Sequence, residues 1–142
     1  EDEALVQSLL DTMQENEADF TLTFRRLCDA ALGPELEGSL RYLFKDARAY
    51  DKWALNWRVR MSHEVKTPDE HVELMRQANP AVIPRNHRVE QALEAAVEEG
   101  DYGPFEKLLE VLSSPYVEPV GHTEYMLPPK PEEHVLQTFC GT

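Results

Sequence analysis

Proline spacing constrains this chain more than any other feature. Of ten prolines, Pro34, Pro68, Pro80, Pro84 and Pro104 are scattered through residues 1–113, whereas Pro115, Pro119, Pro128, Pro129 and Pro131 crowd into the stretch that follows. A proline inside a helix removes a backbone donor and clashes with the preceding turn, so no helix can run through the crowded stretch. Before it, apolar residues recur at spacings of three and four, and strand-like alternation never persists. The pattern predicts an all-α protein: a multi-helix, bundle-like domain over 1–113 and an extended, proline-rich tail over 114–142.

Local signals place the helices. Leu5, Leu9, Leu10 and Met13 mark the first. Asp19 is a good N-cap for the second, whose apolar stripe Phe20, Phe24, Leu27, Cys28 and Ala31 stops at Gly33-Pro34. From Leu40 through Leu43, Ala47, Tyr50, Ala54, Trp57 and Met61 one stripe keeps phase. A break near Asp46 is expected, because a single helix of that length exceeds the usual range. Thr67-Pro68-Asp69-Glu70 reads as a capping box with proline in the first helical position, followed by the inward residues Val72, Met75 and Ala78. Asn79-Pro80 ends that helix, and Pro84 restricts Ile83 in turn, so 79–84 reads as a stiff connector. Asn86 is expected to cap the next helix, with Val89, Ala92, Leu93, Ala96 and Val97 inward and Gly100 closing it. Phe105, Leu108, Leu109 and Leu112 mark the last helix, and a short turn is expected around His134 to Phe139.

Charge and missing motifs narrow the function. With 27 acidic against 14 basic residues the net charge is -13, which repels phosphate backbones and anionic head groups. Neither nucleic acid nor a membrane is expected as a partner, and no apolar run approaches the roughly 18 residues of a membrane span. Two cysteines and no signal-peptide pattern suit a reducing, cytoplasmic location. The chain opens Glu1-Asp2-Glu3 without a methionine, which favours a portion of a longer protein. Its six glycines, at 33, 38, 100, 103, 121 and 141, are too scattered to cradle a phosphate, so this chain is not expected to bind a nucleotide by itself. There is no Gly-x-Ser-x-Gly, His-Glu-x-x-His or Cys-x-x-Cys, and no carboxylate pair stands in an apolar setting, so no catalytic residue is assigned.

Several side chains carry a structural and a functional reading together. Arg41, Lys45, Arg48 and Lys52 would form one basic stripe on a continuous helix, able to dock an acidic partner or a nucleotide phosphate, or to sit as a solvated face paired with Asp46, Asp51 or acidic neighbours. Trp53 and Trp57 are i, i+4 neighbours that can line a ligand pocket, extend this docking face, or anchor a helical core or a domain interface. The histidines lack ligand spacing, and only a tertiary grouping of His122, His134 and Cys140 offers a metal site, so no metal is assigned. Cys28 lies on an apolar stripe and reads as a small hydrophobe, whereas Cys140, three residues from the end, is a candidate redox thiol. Pro128-Pro129-Lys130-Pro131 has the spacing of an SH3 ligand and more simply packs on its own domain. In the connector, Asn79, Pro80, Pro84, Arg85 and Asn86 read as a joint between two helical pairs, with Arg85 able to donate to carbonyls at helix ends.

Asn79-Pro80-Ala81-Val82-Ile83-Pro84-Arg85-Asn86-His87, with Ala92, Ala95-Ala96, Gly100-Asp101, Phe105, Leu108-Leu109, Val111-Leu112 and Pro115-Tyr116, resembles the C-terminal region of the selenoprotein O family. Asp19-Phe20-Thr21 with Phe24-Arg25-Arg26-Leu27, and Trp53 and Trp57 with Arg58 and Arg60, resemble further segments of that family. Thr138-Phe139-Cys140-Gly141-Thr142 puts cysteine where some members carry selenocysteine, although many end Cys-Ser-Ser. The resemblance implies a longer parent: a pseudokinase with a kinase-like domain that transfers AMP from ATP to Ser, Thr or Tyr hydroxyls of target proteins, using Mg²⁺ or Mn²⁺. It implies that ATP and the metal bind outside this chain, that the kinase-like domain and the parent's protein substrates are its partners, and that Cys140 has a redox role. This chain alone is expected to be inactive. The alternative is a stand-alone acidic helical module that binds another protein.

Overall fold

Among the described residues, apolar positions spaced for helices become seven of them: α1 (Asp2–Glu15), α2 (Phe20–Ala30), α3 (Gly38–Arg41), α4 (Ala47–Met61), α5 (Pro68–Ala78), α6 (Asn86–Glu94) and α7 (Gly103–Leu112). The structure, a computed structural model, describes residues 2–136. Among these residues there is no strand, and the fold is all-α. After α7 the described residues are irregular apart from single 3₁₀ turns at Thr123–Met126 and Pro131–Glu133, as proline density requires. None of the described helices is long and apolar enough to cross a membrane.

The helix ends follow local chemistry. Asp19 accepts the amide of Leu22, Asp46 accepts that of Arg48, and Thr67 with Glu70 forms the reciprocal capping box ahead of Pro68. The break at Asp46 separates α3 from α4, so the residues from Leu40 to Met61 share a stripe without sharing a helix. Asn16 holds the first turn together: its Oδ1 accepts the Asp46 amide at 2.8 Å and its Nδ2 donates to the Thr12 carbonyl at 2.9 Å.

The chain divides into two compact units at Asn79 and Pro80. In the first, α1 packs on α4 and α2 on α5. Its core joins Leu9 and Met13 of α1, Leu27 and Ala30 of α2, Leu40 of α3, Phe44, and Tyr50, Trp53, Ala54 and Trp57 of α4. The aromatic rings form a ladder, with centroids 5.3 Å apart for Phe44 and Tyr50, 6.1 Å for Tyr50 and Trp53, and 5.6 Å for the stacked Trp53 and Trp57. The Trp53 indole donates to the Leu5 carbonyl at 2.9 Å, which satisfies its one polar atom inside the core. Glu37, almost fully buried, receives the forked guanidinium of Arg58. Phe20, expected on the apolar stripe of α2, is instead 61% exposed and rests against Phe24. The buried face of α2 turns toward Leu22, Thr23, Leu27, Cys28 and Ala30.

In the second unit α6 packs on α7 and leads into a wide π turn, Ala95–Glu99, that ends at Gly100. Gly100 takes the left-handed conformation, φ +67°, that favours glycine at a helix end. Leu93 and Val97 do not face inward as the periodicity suggested. Ala92 is the buried position here, and the two larger residues form an exposed i, i+4 pair among Glu90, Glu94 and Glu98. The proline-rich residues belong to the same unit as α6 and α7, because the Pro115 carbonyl accepts the amides of Ala81 and Val82 at 2.8 and 3.2 Å. The division thus falls within 1–113 in sequence.

Candidate functional site

Two prolines set the path of the connector. Helix α5 stops at Ala78, and Asn79 is extended, with its side-chain amide donating to the Met75 carbonyl at 2.8 Å and its own carbonyl accepting from Arg25 at 3.2 Å. Past Pro80, Ala81 and Val82 are buried, and their amides turn to Pro115. Arg85 is buried as well and donates from Nη2 to the Met126 carbonyl at 2.8 Å. The carbonyl it reaches is that of the last residue of a 3₁₀ turn.

Asn86 does not cap α6. Arg85 occupies the cap position in an extended conformation, φ -68° and ψ 133°, and its carbonyl accepts the amides of Arg88 and Val89. Asn86 is the first helical residue and is exposed, and no side chain caps this helix. The next residue, His87, is only 3% exposed, and neither ring nitrogen has a hydrogen-bond partner among the described residues. Burial pushes its pKa below the ordinary histidine value, with the nearby Arg88 charge acting in the same direction, which favours the neutral ring. With Pro84, Arg85, Asn86, Glu133 and His134 it lines a hollow of about 280 Å³. The Glu133 carboxylate is already engaged by the Lys130 amide at 2.9 Å and by the Gln91 side chain at 3.5 Å, and these bonds also seat the proline-rich turn on its own unit. Arg88 lies over the Tyr125 ring, 5.4 Å from its centroid, and donates to the Glu124 carbonyl at 3.2 Å.

Sequence periodicity misses His87, since it stands five residues before the buried Ala92 and off the i, i+3, i+4 grid. Its position one turn-step after Pro84-Arg85-Asn86 is the available clue.

The other candidates are dispersed. Arg41 forks onto Asp51 with both bonds at 2.7 Å, Lys45 pairs with Glu17 at 2.6 Å, and Arg48 pairs with Asp46 at 3.0 Å. The turn at Asp46 interrupts the stripe, and these three charges are neutralised at the surface, which is the solvated arrangement; Lys52 is exposed on α4. Trp53 and Trp57 lie in the core of the first unit, so they do not extend a face with those four. Cys28 is fully buried, its thiol pushed up by desolvation and donating to the Phe24 carbonyl at 3.4 Å. Cys140 lies outside the described residues, whereas His122 and His134 lie within them. Among the described ones no group of three or more His, Cys, Asp or Glu is arranged to hold a metal ion.

The described residues thus form an all-α chain with a histidine-lined hollow beside an Asn-Pro…Pro-Arg-Asn connector. Residues 1–113 match the family described as protein adenylyltransferase SelO, and the chain belongs to that family. It is 52% identical over 141 residues to the protein nucleotidyltransferase YdiU of Bradyrhizobium sp. (strain ORS 278), covering 99% of this chain and 28% of that protein. It is 51% identical over 142 residues to the YdiU protein of Rhizobium meliloti (strain 1021), covering 100% and 29% respectively. The chain therefore spans less than a third of the length of these curated relatives.

Arg85→Ala leaves the buried Met126 carbonyl without its charged donor and is expected to lower stability by about 2 kcal/mol in urea denaturation. Arg85→Lys should recover part of that loss. A change within about 0.5 kcal/mol for the alanine variant would mean the contact does not support the unit.

Proposed function

We propose that this chain is a helical region, lying toward the C-terminal end, of a protein adenylyltransferase that transfers AMP from ATP to Ser, Thr or Tyr hydroxyls of target proteins. The observation that carries the reading is the coverage: the whole chain aligns with relatives named as nucleotidyltransferases but fills under a third of them. The connector's resemblance to the family's C-terminal region supports the placement. The kinase-like catalytic domain, with ATP and Mg²⁺ or Mn²⁺, belongs to the part of the protein outside this chain, because the scattered glycines here supply no phosphate cradle. This chain's role is then structural support of that domain. Calorimetric titration of ATP with Mg²⁺ into the 142-residue chain should give no binding at micromolar strength; a micromolar site would overturn the assignment.

The exposed pair Leu93 and Val97, rimmed by Glu90, Glu94 and Glu98, is a surface on which the rest of the protein can dock, with basic residues opposite the acidic rim. Burying two such side chains stabilises by several kcal/mol in total at roughly 25 cal/mol per Å². In the full-length protein, the double change Leu93→Glu with Val97→Glu should lower thermal stability clearly, while the isolated chain shifts by no more than about 0.5 kcal/mol. Equal effects in both would rule out docking there.

Cys140 is assigned as a redox thiol of the full-length protein, supported by its place where some relatives carry selenocysteine. A cysteine there is a weaker nucleophile with a higher pKa than selenium, so any bridge it makes needs an oxidant of moderate strength. Buried Cys28 is an unsuitable partner, and the second thiol should come from outside this chain. Non-reducing mass spectrometry after mild oxidation should find that disulfide; a thiol that stays free would remove the redox role.

A further inference from the structure

Helix α7 is apolar around more of its circumference than its own unit covers. At about 100° per residue, Pro104, Leu108 and Val111 fall on one side of the helix and Tyr102, Phe105 and Leu109 on an adjoining arc of about 60°. The Tyr102 carbonyl accepts the Glu106 amide at 2.9 Å, which keeps Tyr102 in register with the helix. Leu108 and Val111 are buried, and Leu112, between the two sides, is partly so. Tyr102, Phe105 and Leu109 remain 61%, 41% and 54% exposed. The spacing of Phe105, Leu108, Leu109 and Leu112 hides this difference, because steps of three and four join both sides into one stripe.

A single exposed apolar residue is ordinary on a folded protein, whereas three adjoining ones on a helix face form a patch. With roughly 200 Å² for each large side chain, the three together expose on the order of 300 Å². Patches of that size on monomers are often contact sites.

The area decides among occupants. A second copy pairing through the same face would bury on the order of 300 Å² per partner, under half of the roughly 800 Å² typical of a stable complex. A membrane surface is excluded by charge. Glu106 and Glu110 come next round the helix; Glu110 pairs with Lys107 at 2.6 Å, while Glu106 and Asp101, ahead of the helix, keep this edge negative in a chain of net charge -13. A segment of the same polypeptide needs less area, because tethering replaces the cost of association with an effective concentration around millimolar. Chain to supply such a segment exists in the curated relatives, of which these residues fill 28% and 29%.

We propose that Tyr102, Phe105 and Leu109 are covered, in the longer protein, by an apolar and non-acidic segment of its own chain outside these 142 residues. The inference rests on the reading of this chain as one region of a longer enzyme, and it concerns a different helix from the Leu93 and Val97 pair.

The test compares the full-length protein with the 142-residue chain by carbene labelling, in which a photolysed diazirine marks accessible side chains and mass spectrometry locates the mark. Tyr102, Phe105 and Leu109 should be labelled at least about threefold less in the full-length protein. A benzophenone photo-crosslinker placed at position 109 of the full-length protein should join to an apolar segment outside the 142 residues, a result that stands whether or not the shorter chain folds alone. Equal labelling in the two forms would overturn the proposal. So would a crosslink into an acidic segment, or labelling of the 142-residue chain that falls as its own concentration rises, which would give the face to a second copy. Transfer of AMP from ATP to protein, assayed on the same full-length preparation, separates the covered face from the assigned activity. Protection without transfer keeps the face and removes the adenylyltransferase reading, and transfer without protection does the reverse.

Discussion

Backbone amides that prolines release from helix must find acceptors elsewhere, and the second unit is organised around one solution to that demand. Between Pro80 and Pro84 the chain cannot continue as helix, yet Ala81 and Val82 are buried, so their amides cannot turn to water. The Pro115 carbonyl takes both. That single acceptor ties the start of the proline-rich segment to the connector across more than thirty residues of sequence, with α6 and α7 in the closed loop. Arg85 then does for the Met126 carbonyl what Pro115 does for the two amides, and the two contacts fix where α6 begins.

The first unit depends on a different economy, in which local caps set the helix ends and one aromatic ladder fills the space between them. Phe44, Tyr50, Trp53 and Trp57 account for most of the large side chains in its core. Their polar atoms restrict how they can pack: the Trp53 indole must reach a carbonyl and finds that of Leu5. Glu37 and Arg58 place an ion pair at the margin of this core, where breaking one partner leaves a carboxylate in poor solvent. A chain of net charge -13 keeps its other acids outward, where Asp51, Glu17 and Asp46 pair with Arg41, Lys45 and Arg48 of the stripe that the sequence presents.

The described residues carry seven helices, surface arginines and lysines paired with nearby carboxylates, and the exposed apolar pair Leu93 and Val97. Among the described residues the buried His87 leaves both ring nitrogens without a hydrogen-bond partner, and Thr23 Oγ1 and His71 Nε2 are likewise unpartnered.

By itself the sequence determined the helices and their ends. Asp19, Asp46, Thr67, Pro68 and Asn79-Pro80 act on backbone groups no more than about four residues away, so their effect does not wait for the rest of the chain to fold. The candidate site was legible only as a stiff connector with a useful arginine. Tertiary packing decided the remainder: that Arg85 and not Asn86 takes the cap position, that His87 is buried, that Leu93 and Val97 are left outside, and that the tryptophans turn inward away from Arg41, Lys45, Arg48 and Lys52. Which side of a helix is covered depends on what packs against it from distant sequence, and a spacing of three and four residues names an apolar stripe without naming its partner.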